Sequence, residues 1–160
     1  MKQTPVGASP NRTIRHGTAV LLHGAGYASS AVFIRGPSGS GKSDLAFRLL
    51  SSGAELISDD QVELERRQDS VFAGTVDAIR GLMEVRGLGL LRYPSTVPSP
   101  VRLVVDLVAR TDVPRLPEWE TLDIFGISLP MVKLHAFDAS TCDKIRAAMM
   151  VVHHPKMIVK

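Results

Sequence analysis

Ala31-Val-Phe-Ile-Arg-Gly-Pro-Ser-Gly-Ser-Gly-Lys-Ser-Asp-Leu-Ala-Phe-Arg-Leu-Leu50 is the stretch on which the reading of this chain turns. Its first residues, Ala31 to Arg35, form an apolar run of the kind found in a central strand. Gly36 to Ser43 matches the pattern G-x-x-x-x-G-K-[ST] at every fixed position. Leu45, Leu49 and Leu50 then fall at helical spacing, which predicts a helix over 43–52, and Gly53 stands where a left-handed residue ends a helix. Strand, glycine loop and helix in that order make a phosphate cradle. The glycines let consecutive backbone N–H groups converge on phosphate oxygens without a Cβ in the way. The helix start adds partial positive charge. Gly36, Pro37, Ser38, Gly39, Ser40, Gly41, Lys42 and Ser43 are therefore the candidate residues for binding ATP. Lys42 would neutralise the β- and γ-phosphates, and Ser43 would offer a hydroxyl to Mg²⁺.

Working outward, Thr18–Leu22 reads as a short strand and 24–30 as a turn or hairpin loop. Residues 54–58 are strand-like and run into Asp59-Asp60. Gln61–Arg66 and Ser70–Val76 alternate well enough for a hairpin around Gln68-Asp69. Asp77 starts a short helix expected to reach about Met83. Val85–Leu91, with two glycines, is expected to be a loop or bent strand. The proline-rich stretch 93–100 reads as a surface connection, 101–109 as a strong strand and 111–120 as a polar loop. Strands are expected over 122–129 and 132–137, separated at Pro130. A last helix is expected over 141–152, with Ser140 as N-cap and Asp143 completing a capping box. Strands outnumber helices, so the fold class is α/β with a mixed, strand-rich sheet. The organisation expected is a flexible leader over 1–12, one catalytic domain over 13–152 and a frayed tail over 153–160.

Composition narrows the function classes. The chain has 160 residues, 44% of them hydrophobic and 22% charged, the balance of a globular domain. The single cysteine, Cys142, excludes an intrachain disulfide and a cysteine-cluster zinc site, and fits a reducing cytoplasm. The net charge is only +3 and aromatics make up 5%, so no nucleic-acid surface stands out. No apolar run is long enough to cross a membrane, and no secretion signal is expected. The expected localisation is cytoplasmic.

A phosphate loop says only that a nucleotide binds; the chemistry must come from the residues that face it. Asp59 and Asp60 end the strand after the loop's helix, and neighbours in an extended chain point to opposite faces. One can therefore face a metal and the other a substrate hydroxyl, the two carboxylates that phosphoryl transfer to a hydroxyl requires. Glu84 and Arg86, two residues apart in Glu84-Val-Arg-Gly-Leu-Gly-Leu90, share a face if that segment is extended. They could serve as metal ligand and phosphate clamp, but taken alone the segment reads first as a surface ion pair beside a turn.

Taken together, His16-Gly17, the loop 35–43, Gly53-Ala-Glu-Leu-Ile-Ser-Asp-Asp60, Gly81-Leu-Met-Glu-Val-Arg-Gly-Leu-Gly-Leu90 and the segment Arg115–Pro130 resemble, in order, the catalytic domain of the HPr kinase/phosphorylase family. Its members act on a serine of the phosphocarrier protein HPr. The short chain is similar to the truncated form of some proteobacteria, which lacks the family's N-terminal domain. The resemblance implies a P-loop kinase fold like the nucleotide domain of phosphoenolpyruvate carboxykinase, with few helices. It implies that His16 is an active-site histidine near the acidic pair, that Asp60 is proton acceptor in phosphorylation and donor in the reverse step, and that Asp59 is its neighbour in the site. It implies Ser43 and Glu84 as Mg²⁺ ligands, a role for 84–90 in both directions, and Arg115 as an active-site arginine. An HPr-like carrier is then the partner, and hexamers are the family's habit. One stretch departs from the pattern. Leu134-His-Ala-Phe-Asp-Ala-Ser-Thr141 has neither the Pro-Gly step nor the arginines of the family's dephosphorylation loop, and Lys133 and Lys144 are the cations nearest to it. A small-molecule kinase on the same scaffold and a non-catalytic nucleotide-binding regulator are the alternative readings.

Overall fold

The computed structural model describes residues 9–94 and 96–159. Eleven strands and two helices are present among them: β1 Arg12–His16, β2 Thr18–Gly24, β3 Tyr27–Arg35, α1 Lys42–Ser51, β4 Glu55–Ser58, β5 Gln61–Arg67, β6 Ser70–Thr75, β7 Leu82–Val85, β8 Gly89–Arg92, β9 Ser99–Leu107, β10 Glu120–Ile124, β11 Ile127–Leu134 and α2 Thr141–His153. The strand-rich mixed α/β class expected from the sequence is the class observed.

Nine strands form one sheet, whose main path runs β1-β5-β6-β9-β3-β2-β4; β11 joins β9 and carries β10, while β7 and β8 make a separate two-stranded ribbon. The pairings β3–β9 and β9–β11 are parallel. The pairings β2–β3 and β2–β4 are antiparallel, so β4 runs in the direction of β3. The C-terminal ends of β3, β4, β9 and β11 thus emerge on one side. In an open α/β sheet that is the side where ligands bind.

Side-chain alternation splits the core into two layers. Val20 and Leu22 of β2, Val32 and Ile34 of β3, and Leu103 and Val105 of β9 meet Leu45 and Leu49 of α1 and Ile145 and Met149 of α2. The opposite faces, through Ala19, Leu21, Ala31 and Phe33, pack on Val62, Leu64, Val71 and Ala73 of the β5–β6 hairpin and on Ile124, Leu129 and Met131. A strand buried on both faces reads as a continuous apolar run, which is why β3 is legible in the sequence.

Several boundaries differ from expectation. The 24–30 loop is a two-residue turn: Gly24 pairs with Tyr27, and β3 starts there. The helix expected over 77–83 is a single 3-10 turn at Asp77–Ile79. Gly81 ends it with φ +71, and a Cβ there would lie 2.5 Å from the Tyr93 carbonyl oxygen. Leu82–Val85 then pairs with Gly89–Arg92 as a strand. The last two strands are separated at Phe125-Gly126 and not at Pro130. Both turn residues have positive φ, +56 and +80, the twist that a two-residue hairpin turn demands. Pro130 sits inside β11, opposite Thr121, and pairing of β11 with β9 begins only at Met131. Ser140 is the N-cap of α2, but no side chain caps that helix, so the capping box with Asp143 does not form.

The expected leader falls partly outside the described residues; within them Arg12 already belongs to β1, paired with β5. The described part of the expected tail, 153–159, is built into the fold at its start. His153 continues α2 and stacks on Tyr27 with ring centroids 5.1 Å apart, and Pro155–Met157 forms a 3-10 turn. Among the described residues no helix is long and apolar enough to cross a membrane.

Candidate active site

Arg35 ends β3, and the chain turns into the glycine loop. The loop closes on α1 with Gly41 as N-cap at φ +96, a conformation that favours glycine. Gly41 has a second constraint, because a Cβ there would come within 2.7 Å of both Ala136 Cβ and Phe137 Cζ. Gly39, at φ +80, has open space where its Cβ would be. Lys42 Nζ donates hydrogen bonds to the carbonyls of Gly36 (2.7 Å) and Pro37 (2.9 Å), which hold the cation in the cup of the loop. Burial pushes the Lys42 pKa below its ordinary value, and Asp60 and Asp59 pull it the other way. Ser40 Oγ is buried without a hydrogen-bond partner, beside Gly36.

The acidic pair divides between wall and cleft, but not by strand alternation: β4 ends at Ser58, and a turn carries both residues. Asp59 is buried, 7% exposed, and its carboxylate accepts hydrogen bonds from Thr18 Oγ1 (2.8 Å) and Ser43 Oγ (2.8 Å). A buried carboxylate is stable only with such partners. The Asp60 side chain is 73% exposed, and its Oδ1 lies 3.4 Å from His16 Nδ1. Asp60 adopts φ +69, a left-handed conformation that aspartate tolerates better than most residues. Its carbonyl accepts from Gly17 N–H at 3.1 Å, so the turn that carries it is anchored to the end of β1. One carboxylate is thus built into the wall, and its neighbour is presented to the cleft.

That cleft encloses about 850 Å³ and is lined by His16, Lys42, Ser43, Asp59, Asp60, Glu84 and Arg86, among others. Glu84 is on β7 and Arg86 opens the turn to β8; both are exposed and line the cleft, and among the described residues no ion pair joins them. Gly87 and Gly89 have φ +90 and +110, and a Cβ on either would stand in open space, so they serve the turn and not a close approach.

Arg115 is exposed in the segment between the 3-10 turn Arg110–Asp112 and β10, and is not among the residues lining the cleft. Lys133 does not line it either; its Nζ donates to Glu120 Oε1 at 2.7 Å, a contact that raises its pKa. Lys144 is exposed on α2 and likewise outside the lining. Neither lysine replaces the missing arginines of the 134–141 stretch within the cleft. Sequence reasoning misses Thr18 and Phe137. A threonine opening a strand and a phenylalanine closing one carry no signal until the fold brings the first to Asp59 and the second to Gly41.

The donor set can be tested for Mg²⁺. Among the described residues no group of three or more His, Cys, Asp and Glu side chains could hold a metal by itself. Mg²⁺ does not need one, since it keeps several waters and shares substrate phosphates with one or two protein oxygens. The hydroxyl of Ser43 hydrogen-bonded to a buried Asp59 is that kind of donor set. The Ser43 hydroxyl and the Asp59 carboxylate beside it therefore fit the ion.

Known proteins resemble this chain along most of its length. Residues 9–154 match the family model for the HPr serine kinase C-terminal domain. HPr kinase/phosphorylase of Cupriavidus necator is 36% identical over 137 residues, which cover 79% of this chain and 41% of the relative. That of Exiguobacterium sibiricum is 40% identical over 80 residues, covering 49% of this chain and 24% of the relative. The chain thus spans well under half the length of these curated relatives. The solved structure of the Hpr(Ser) kinase/phosphatase from Coxiella burnetii superposes with a TM-score of 0.76 at 21% identity, covering 91% of this chain and 98% of the other, a likeness of fold. With the family model matched from β1 to the end of α2, this chain belongs to the HPr serine kinase C-terminal domain family.

Proposed function

We propose that the chain is an ATP-dependent serine kinase for an HPr-like phosphocarrier protein, working also in reverse as a phosphorylase. The observation that carries this reading is the division between Asp59, buried on Ser43, and Asp60, exposed beside His16. A nucleotide-binding regulator has no need for a carboxylate presented to the cleft next to one sealed into its wall.

In the forward direction the triphosphate lies on 36–43, with Lys42 leaving the Gly36 and Pro37 carbonyls for the β- and γ-phosphates. Asp60 accepts the proton of the substrate serine as its oxygen attacks the γ-phosphorus, and the bond to the β-phosphate oxygen breaks to release ADP. His16, 3.4 Å from Asp60, orients that carboxylate. Arg86 faces the equatorial oxygens from the β7–β8 turn. Asp59, Ser43 and Glu84 would hold Mg²⁺, which supplies charge neutralisation for the phosphates when bound. In reverse, a phosphate oxygen attacks the phosphoserine phosphorus, the P–O bond to serine breaks, Asp60 returns its proton to the serine oxygen, and pyrophosphate leaves. Within one chain no step uses Arg115. An assembly of copies, of the hexameric kind implied by the resemblance, is the setting in which that exposed side chain would meet a cleft other than its own.

The test is incubation with Mg-ATP and HPr, read by intact mass, followed by excess phosphate. A gain of one phosphoryl group on HPr is the expected result, and its removal with release of pyrophosphate is expected next. ATP binding without a mass gain on HPr would move the assignment to a metabolite kinase or a regulator.

A further inference from the structure

Phe137 is 56% exposed, lines the cleft, and belongs to neither core layer. Its neighbours are nevertheless tied down on every side. Arg48 of α1 donates to the Ala136 carbonyl and to the Asp138 carbonyl. Arg110 Nε donates to Asp138 Oδ1 at 2.8 Å, and Thr141 Oγ1 to the His135 carbonyl at 2.5 Å. The His135 ring, with Nδ1 3.0 Å from the Val108 carbonyl, meets Phe137 edge-on at 5.7 Å and 70°. The tip of the Phe137 ring also lies against the phosphate loop, at Gly41. A large apolar ring held rigidly in an open cleft gains nothing from the protein's own core. It is the arrangement that a ligand with a flat apolar face would exploit, because the ordering cost is met before binding.

Gly41 is the residue before Lys42, where α1 begins and the phosphate chain is received. A nucleotide carries its base at the far end of that chain, across a ribose. We infer that Phe137 is a stacking platform for the base of the bound nucleoside triphosphate, and that the base is held by its face and not by its edge. Base–aromatic stacking is worth about 1–3 kcal/mol and tolerates any base, because every base has a π-face. Edge recognition needs paired donors and acceptors, which Asn, Gln and Arg supply best. Among the described residues no Asn or Gln lines the cleft; Arg86, its one arginine, is assigned to the phosphates, and Asp44 on α1 is engaged by Arg48 at 3.1 Å. The substrate class is therefore nucleoside triphosphates without selection of the base, with adenine and guanine accepted alike.

This rests on reading 36–43 as a triphosphate site, and the test separates the two claims. Binding of Mg-ATP, Mg-GTP and Mg-tripolyphosphate is measured by calorimetry on the wild type, Phe137→Ala and Phe137→Trp. The expected result is ATP and GTP within about threefold of each other on the wild type, and both weakened about tenfold by F137A. F137W should restore both, and tripolyphosphate should bind all three proteins equally. Unchanged ATP affinity in F137A would overturn the stack, as would equal weakening of tripolyphosphate, which would mean that Phe137 only supports the loop. A preference for one base above about tenfold would overturn recognition by the face alone. Failure of the wild type to bind either ATP or tripolyphosphate would overturn the triphosphate site and the stack with it.

Discussion

The two ends of the central sheet treat polar groups in opposite ways. At the end where β3, β4, β9 and β11 finish, charged side chains point into an open cleft: Lys42 rests on its own loop's carbonyls, and Asp60 stands exposed in a left-handed conformation. At the other end, where β2 turns into β3, the chain is closed upon itself. His153 stacks on Tyr27 and its Nε2 lies 3.2 Å from Ser30 Oγ, while His154 Nε2 donates to the Gly26 carbonyl at 2.8 Å. One helix links the two, since α2 starts beside the loop that carries Phe137 and ends on the β2–β3 turn. The lesson is that strain, exposure and partnerless groups collect where chemistry is wanted, and satisfied contacts collect where only stability is at stake.

The comparison breaks if substitutions at the cleft end behave like packing changes. Lys42→Ala has the largest expected effect: phosphoryl transfer falls by about 10³-fold or more, because the cation buried in the phosphate cup is gone. The thermal midpoint should move little, since Lys42 bonds only to two carbonyls of a solvent-facing loop. A large drop in midpoint alongside the lost turnover would make Lys42 a structural residue and remove the contrast.

The acidic pair sharpens it further. Asp60→Asn is expected to keep nucleotide affinity while turnover falls about 10²–10⁴-fold, as loss of a general base does. Asparagine tolerates a left-handed backbone as well as aspartate does, so the turn at φ +69 survives and the variant isolates the proton step. Asp59→Asn should instead raise the Mg²⁺ concentration needed for half-maximal turnover by about tenfold or more, since even outer partners of a metal site are worth that much. Normal turnover in D60N with a strongly impaired D59N would exchange the two roles.

The sequence makes the cleft's rear wall legible and leaves its front obscure. Gly36 to Ser43 can be read because each fixed position answers a geometric need of phosphate binding, and β3 because burial on both faces leaves an unbroken apolar run. The acidic pair is legible as a pair, but the left-handed turn at Asp60 is not, and only Thr18 and Ser43 show which carboxylate faces inward. The turn at Phe125-Gly126 is hidden because a phenylalanine at φ +56 is rare, so Pro130 draws the break instead. Phe137 reads as the end of a strand, since nothing local tells an exposed ring from a buried one. Arg115 comes from resemblance alone, and it lies outside the lining of the chain's own cleft.

The smallest effect belongs to the closed end. Burial, then the nearby cations of Arg102 and His154, lower the pKa of His153 from its ordinary 6.5. The folded protein therefore holds this imidazole neutral, and the unfolded chain binds the extra proton first. Stability rises with pH wherever the unfolded state carries more protons, so this group costs nothing above 6.5. Its cost grows as the pH falls below that value and levels off once the folded ring is also protonated. Protonation would bring a cation to Arg102 and His154. His153→Phe keeps a ring against Tyr27 and removes the titration. Between about pH 7.5 and 5.0 the wild-type thermal midpoint should fall by about 1–3 °C more than that of the variant. Turnover at the upper end of that range should be unchanged, because the ring lies at the end of the sheet away from the cleft. Parallel pH profiles for the two proteins would show that the clasp at the β2–β3 turn is held by stacking and backbone bonds alone, with no share for the charge state of His153.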